Sequence, residues 1–222
     1  MKNHISISPN IINRIPKYLR LLHNMKNNGV DRTSSAQIAQ LMGTTPSQVR
    51  QDLSAFGSFG SQGYGYNVNS LIFEIDRILG LNEKHNIAVI GVGGIGRALL
   101  EHMEFEEYNY QVCAAFDISP ELVGTYVNGI EIQHIDSLNE AVKEFNLDIC
   151  MLTVPQKSAK EIAAKLVSLG IPAIWNFTNE DLGLAQSNLV VQDVNFLDSL
   201  FTLTYYLENQ FHTTKMARAI AI

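Results

Sequence analysis

The stretch IAVIGVGGIGRALL, residues 87–100, decides how the rest of the chain is read. The apolar run Ile87–Ile90 predicts a buried strand. Glycines at 91, 93 and 96 follow in the spacing G-x-G-x-x-G, and the apolar residues after them recur at helical intervals. A strand that turns through glycine into a helix can cradle a dinucleotide. The first glycine permits the tight turn, the second lets backbone approach a pyrophosphate, and the third lets helix pack on strand. The helix N-terminus then faces the phosphates. A second strand, YQVCAAFD, ends at Asp117, about 20 residues past Gly96, where an acid holds ribose hydroxyls. That carboxylate would repel a 2′-phosphate, so NAD(H) is expected rather than NADP(H).

Apolar strands and helices keep alternating to about residue 177: NGIEI, SLNEAVKEF, DICMLTV, SAKEIAAKLVSLG, IPAIWNF. This predicts an α/β fold, a Rossmann-like doubly wound parallel sheet covered on both faces. The nicotinamide end of such a cradle would lie beyond the central strands, near Thr153-Val154-Pro155 and Asn176-Phe177-Thr178. A dehydrogenase needs a proton-transfer group there. His134 has no identifiable partner in the sequence, and Lys157 reads as a solvated residue at a helix start. With about 80 residues spent elsewhere, no substrate domain remains, so the economical expectation is a nucleotide that is sensed rather than used.

Those other residues read as helical. Ile11, Ile12, Ile15, Tyr18, Leu19, Leu22 and Met25 form one stripe, closed by Asn27-Asn28-Gly29. In SSAQIAQLMG, Ser34 and Gln37 have capping-box spacing, with Ile38, Ala39 and Leu41 as the buried face. In TTPSQVRQDLSAF, Thr45 caps, Pro46 suits the first turn, and Gln48 completes a second box. Two short helices about a turn at Gly43 make a helix-turn-helix pattern. Val49 and Leu53 would be buried, leaving Ser47, Gln48, Arg50 and Gln51 outward, residue types suited to base edges and phosphates in a major groove. GSFGSQGYGYNV, with Gly57, Gly60, Gly63 and Gly65 among Phe59, Tyr64 and Tyr66, predicts a β-hairpin wing. SLIFEIDRILG closes the unit at Gly80.

Charge supports the division. The chain carries −6 overall, but residues 1–80 hold eight Lys or Arg against four acids, leaving eight basic and 18 acidic residues beyond. A basic end on an acidic chain fits nucleic acid. Apolar residues make up 46%, as in ordinary folded proteins. The two cysteines, Cys113 and Cys150, sit in apolar runs and read as core residues in a reducing compartment. No apolar run is long enough to span a membrane, and MKNHISISPNIINRIP has no secretory core, so a cytoplasmic protein is expected. A last helix, from about Phe196 to beyond Leu207, is too apolar to be a solvated surface helix and must pack on something.

In order, INRIPKYLRLL, SSAQIAQLMGTTPSQVRQDLSAFG, GSQGYGYNV, GVGGIGRALL, AAFD, LTVP and WNFT resemble the redox-sensing transcriptional repressors called Rex, from about Asn13 to Leu207. The resemblance implies a homodimer on a palindromic operator, released by NADH, with its C-terminal helix exchanged between subunits. The implied domains are a winged helix-turn-helix at 1–82, a Rossmann domain at 83–195 and the exchanged helix at 196–222. It implies that Arg14 and Tyr18 lie near both DNA and the domain interface. It puts Thr45, Ser47, Gln48, Arg50 and Gln51 on the recognition helix, and Tyr64 and Tyr66 on the wing. Gly91, Val92, Gly93, Gly94, Ile95, Gly96 and Asp117 would hold the adenosine and pyrophosphate, with Thr153, Pro155, Asn176 and Phe177 approaching the nicotinamide. The chain departs from the family pattern at Asn195, where many members have aspartate at the start of the exchanged helix. A nearby Asp193 could be a substitute, although it is two residues off that position. His102 stands for a tyrosine, Asn179 for a proline, and Gln51 for a lysine or arginine. Three rivals remain: an NAD-dependent oxidoreductase, a regulator binding a nucleotide such as coenzyme A, and a DNA-binding protein that has lost its ligand response.

Overall fold

A computed structural model describes residues 7–57, 59, 64–184 and 188–220. The chain forms two compact units that part between Glu83 and Lys84, one residue beyond the expected boundary.

The first unit is helical: α1 (Pro9–Ile12), α2 (Ile15–Asn27), β1 (Arg32–Thr33), α3 (Ser35–Met42), α4 (Pro46–Ser54), β2 (Tyr66–Asn67) and α5 (Val68–Leu79). The expected first helix is broken after Ile12. Pro16 sits in the opening turn of α2 and has no N–H to carry a continuous ladder. Ile15, Tyr18, Leu19, Leu22 and Met25 face the core as the stripe predicts, whereas Ile12 is exposed. The Ser34 capping box forms in full: Ser34 Oγ accepts from the Gln37 N–H, and Gln37 Oε1 accepts from the Ser34 N–H. Ile38 and Ala39 pack on α2, α4 and α5, but Leu41 is 62% exposed because α3 turns that residue away. β2 pairs antiparallel with β1, Tyr66 opposite Thr33. So the strand ending the glycine-rich segment is anchored on an earlier turn. A Cβ on Gly65 would lie 2.3 Å from the Thr33 carbonyl, so only glycine allows this approach. Gly60 and Gly63, expected in the wing, lie outside the described residues.

The second unit holds β3 (His85–Ile90), α6 (Gly94–His102), β4 (Tyr110–Asp117), β5 (Tyr126–Val127), β6 (Ile130–His134), α7 (Leu138–Phe145), β7 (Ile149–Leu152), α8 (Gln156–Ser168), β8 (Ala173–Asn176), β9 (Val190–Asp193) and α9 (Phe196–Ile220). The sheet order is β5-β6-β4-β3-β7-β8-β9, parallel except for β5. The order reverses between β3 and β7, the position where open α/β sheets bind ligands. One face packs on α7 and α8 through Leu138, Ala141, Ala163 and Leu166. The other packs on α6 through Leu100, with Val89 and Met151 beneath. Edge strand β9 was not expected, since VVQD is mostly exposed and lacks a strand's alternation.

Both cysteines are free thiols. Burial pushes the Cys150 thiol up to about 12 and raises the half-buried Cys113 less far. Ellman's reagent is therefore expected to label Cys113 slowly in the native protein and Cys150 only after denaturation.

Candidate functional site

Asp52, on the inner face of α4, is 0% exposed, and four donors converge on it. Arg14 grips it with Nε and one terminal nitrogen, each at 2.7 Å. The Tyr18 hydroxyl donates at 2.8 Å and Gln48 Nε2 at 2.7 Å. Burial works against the charge on Asp52, but the bonds from Arg14, Tyr18 and Gln48 outweigh it and hold the carboxyl below its usual range. Tyr18 titrates well above a free tyrosine, through burial first and its bond to Asp52 second. This hub ties the start of α2 to α4.

The hub revises two expectations. The Thr45 hydroxyl does cap α4, accepting from the Gln48 N–H at 3.2 Å, but the Gln48 side chain turns to Asp52 instead of completing a second box. A carboxylate only accepts, so the Gln48 amide must aim its NH2 inward and its oxygen away. Gln48 is half-buried, with its amide oxygen and its second N–H left for other partners. Thr45, Ser47, Arg50 and Gln51 remain exposed, with Arg50 donating to Ser35 Oγ at 3.2 Å. Tyr18 is enclosed in the core. At the end of the glycine-rich segment, Tyr64 is 76% exposed, its carbonyl held by Arg32 at 2.7 Å, while Tyr66 packs inward.

In the second unit the three motif glycines each occupy a place that suits the role expected of them. A Cβ on Gly96 would meet the Gly91 carbonyl at 2.0 Å, and one on Gly91 would lie 3.0 Å from Thr153 and Val154. A Cβ on Gly93 would meet nothing within 4 Å, which leaves space against the backbone for a pyrophosphate. No side chain caps α6, whose first turn includes Gly94, Ile95 and Gly96. Its amides are free to point at an anion. Asp117 does more than the sequence indicated. Its Oδ2 accepts from the Val92 N–H at 2.7 Å, and its Oδ1 from the Ile118 and Ser119 N–H groups. The residue that would meet the ribose also holds the loop. Ser119 bonds Glu121 and lowers its pKa, placing a second carboxylate close behind. These residues fit a dinucleotide with a free 2′-hydroxyl.

At the other end the expected residues are mostly engaged with the protein. The Thr153 hydroxyl donates to the Gly91 and Ile90 carbonyls at 2.6 and 3.1 Å. Pro155 is the exposed residue that opens α8. Asn176 is 1% exposed: its Nδ2 donates to the Glu180 carbonyl and Asp193 Oδ1, and its Oδ1 accepts from the Thr178 N–H and hydroxyl. Phe177 stacks between Trp175 and Phe196, at ring centroids of 4.7 and 6.5 Å. Asn195 Oδ1 accepts from the Leu197 N–H at 2.9 Å and caps α9. Asp193 turns toward Asn176, so it does not stand in for an acid at the start of α9. His134 pairs with Asp136 at 3.0 Å, on a strand four places along the sheet from β8. Among the described residues, no cluster of His, Cys, Asp and Glu could hold a metal.

Two family models match the chain: "CoA binding domain" over residues 82–180 and "Putative DNA-binding protein N-terminus" over 6–54. The redox-sensing transcriptional repressor Rex of Clostridium beijerinckii is 41% identical over 93% of this chain and 98% of its own length. That of Clostridium botulinum strain Hall is 45% identical over 90% and 94%. Among solved structures, RSP in complex with NADH aligns with a TM-score of 0.88 at 34% identity, covering 95% of this chain and 99% of RSP. RSP in complex with NAD⁺ and operator DNA aligns with a TM-score of 0.86 at 37% identity, covering 95% and 96%. By sequence along nearly its whole length, and by the fold of both units, the chain belongs to the Rex family of redox-sensing transcriptional repressors.

Proposed function

We propose that this protein binds a palindromic operator as a homodimer in the cytoplasm and is released from it by NADH. The observation that carries the reading is the union on one chain of a braced, outward-facing helix α4 and a glycine cradle backed by Asp117. Thr45, Ser47, Arg50 and Gln51 meet the groove and phosphates, Gln48 offers its acceptor oxygen, and Tyr64 extends from the wing. Arg14 and Tyr18 act from behind through Asp52. Residues 91–96 and Asp117 hold the adenosine and pyrophosphate of NAD(H), while Phe177 and the start of α9 bound the nicotinamide end, beside Thr153, Pro155, Asn176 and Asn195.

Pairing is supported by α9. In one chain it exposes Phe196, Leu200, Phe201, Leu203 and Leu207, far more apolar surface than a solvated helix carries. An apolar hollow of about 600 Å³, lined by Ile149, Trp175 and Val190 among others, lies uncovered on the α6 face of the sheet. Two recognition helices must sit about 34 Å apart to enter successive major grooves. The protein loses its operator when the ligand binds a dimer of different spacing more tightly, and a tenfold loss needs about 1.4 kcal/mol of differential affinity. The protein turns over no substrate in this reading. His134 faces Asp136 far from β8, and Asn176 is saturated by internal bonds. Among the described residues, no helix is long and apolar enough to cross a membrane.

A gel shift with a family-type operator, repeated with NAD⁺, NADH and coenzyme A, tests this. Retardation that NADH alone abolishes is expected. Release by coenzyme A alone would favour the binding named in the 82–180 match, and NADH consumption with a substrate panel would favour an oxidoreductase. Asn195→Asp probes how sharply the redox forms are told apart. Aspartate caps as well as asparagine, so α9 should stand, with a negative charge added near cationic nicotinamide. Calorimetry should show the NAD⁺/NADH affinity ratio rising roughly three- to tenfold, about 0.7–1.4 kcal/mol.

A further inference from the structure

We infer that Asp193 is a positioning residue of the ligand response: through Asn176 it fixes where α9 leaves the sheet, and so passes the state of the β8 end to that helix. The inference rests on the reading of the chain as an NADH-responsive repressor.

Asn176 and Asp193 are register partners on the last rung of β8 and β9. Three kinds of contact join the two short segments they begin. Asn176 Nδ2 donates to Asp193 Oδ1 at 2.7 Å. The Val194 N–H donates to the Asn176 carbonyl at 2.8 Å. The rings of Phe177 and Phe196 lie 6.5 Å apart. Only Val194 and Asn195 separate Asp193 from α9, and Asn195 caps that helix. Residues 176–177 and 193–196 therefore move as one piece.

The piece is held firmly on one side and loosely on the other. β9 is an edge strand with a neighbour on one flank only. Within one chain the apolar side chains of α9 stay exposed from Phe196 to Leu207, so what holds the helix to its own sheet is its first turn. Beyond Asn176 the network continues outward to α8. Its Nδ2 also reaches the Glu180 carbonyl, and the Glu180 carboxylate takes Gln156 and Lys160 of α8, each at 2.7 Å. A shift at the ends of β7 and β8 thus has a continuous polar route to α9, and Asp193 is its last link. Without it, a buried amide hydrogen loses its acceptor.

The test uses the full chain, Asp193→Val and Asp193→Asn. Operator affinity is measured by fluorescence anisotropy without NADH and at saturating NADH. NADH affinity of the DNA-free protein is read from quenching of Trp175, the single tryptophan. The ratio of operator affinities at saturation is insensitive to a mere loss of stability or NADH affinity. In the natural protein it should be at least tenfold. Asp193→Val should bring it below threefold while still binding NADH, and Asp193→Asn, which keeps an acceptor in place, should lie within twofold of the natural value. Three outcomes overturn the inference: a full ratio in Asp193→Val, an Asp193→Asn as defective as the valine variant, or loss of NADH binding in Asp193→Val. No response in the natural protein would instead sink the repressor reading and this inference with it.

Discussion

Replacing Arg14 by alanine is expected to destabilise the helical unit by about 3–5 kcal/mol near neutral pH. The substitution leaves Asp52, 0% exposed, with Tyr18 and Gln48 as its remaining donors and no cation. Asp52→Ala should cost less, because the stranded Arg14 retains access to water and only the Tyr18 hydroxyl is left buried without its acceptor, at about 1–3 kcal/mol. The pH dependence separates the two forms further. In the natural protein the folded carboxyl titrates below its ordinary 3.8, so its contribution is present above that value and is lost as pH falls through the lower, folded one. In Arg14→Ala burial is no longer outweighed by the guanidinium, and the folded carboxyl should titrate above 3.8. That variant then gains stability relative to the natural protein as pH falls from neutrality. Urea unfolding at pH 7 and pH 5 checks the sign. Circular dichroism must be compared with Trp175 emission, since the tryptophan reports only the second unit. Operator affinity should fall at least tenfold, because α4 loses its strut, while affinity for NADH stays within twofold.

The second large effect comes from a pair of glycines three apart. Gly96→Ala forces a Cβ to 2.0 Å from the Gly91 carbonyl, so helix and loop must separate. Both melting temperature and dinucleotide affinity should drop, the latter by at least 100-fold, or about 2.7 kcal/mol. Gly93→Val puts its side chain into open space at a residue of φ −72°, which any L-residue adopts. Its cost to the fold is the weaker helix cap, no more than about 1 kcal/mol. Yet it fills the space through which a pyrophosphate would reach the backbone, so NADH affinity should again fall at least 100-fold. Thermal melts beside Trp175 titrations would show loss of fold and binding in one variant and of binding alone in the other. An unchanged NADH affinity in Gly93→Val would remove the glycine loop from the ligand site.

What could be read in advance was whatever local chemistry dictates. Ser34 with Gln37, Thr45 with Pro46, and the glycine spacing before α6 each act within a few residues, and each folds nearly as its spacing predicts. What could not be read depends on distant partners. Asp52 in QVRQDLSAF looks like a solvated helix charge, since two of its partners, Arg14 and Tyr18, lie 38 and 34 residues away. The same blindness applied to Gln48, whose orientation follows from Asp52. Leu41 and Ile12 fit a helical stripe but fall outside the packed interface, because periodicity cannot say how wide that interface is. β9 was hidden because an edge strand with exposed residues has no alternating pattern, and with it the Asp193–Asn176 bond.

The Val92 N–H bond to Asp117, together with the Thr153 hydroxyl on the Gly91 carbonyl, bears on how quickly the protein can follow its surroundings. Both lie wholly within the chain, so the loop takes its shape during folding and capture of a ligand does not wait on a slow rearrangement there. Little ordering entropy is left to spend at that moment. Arrival rates should then be set by diffusion and concentration, and residence times by affinity. A detector built this way should answer as fast as its ligand arrives.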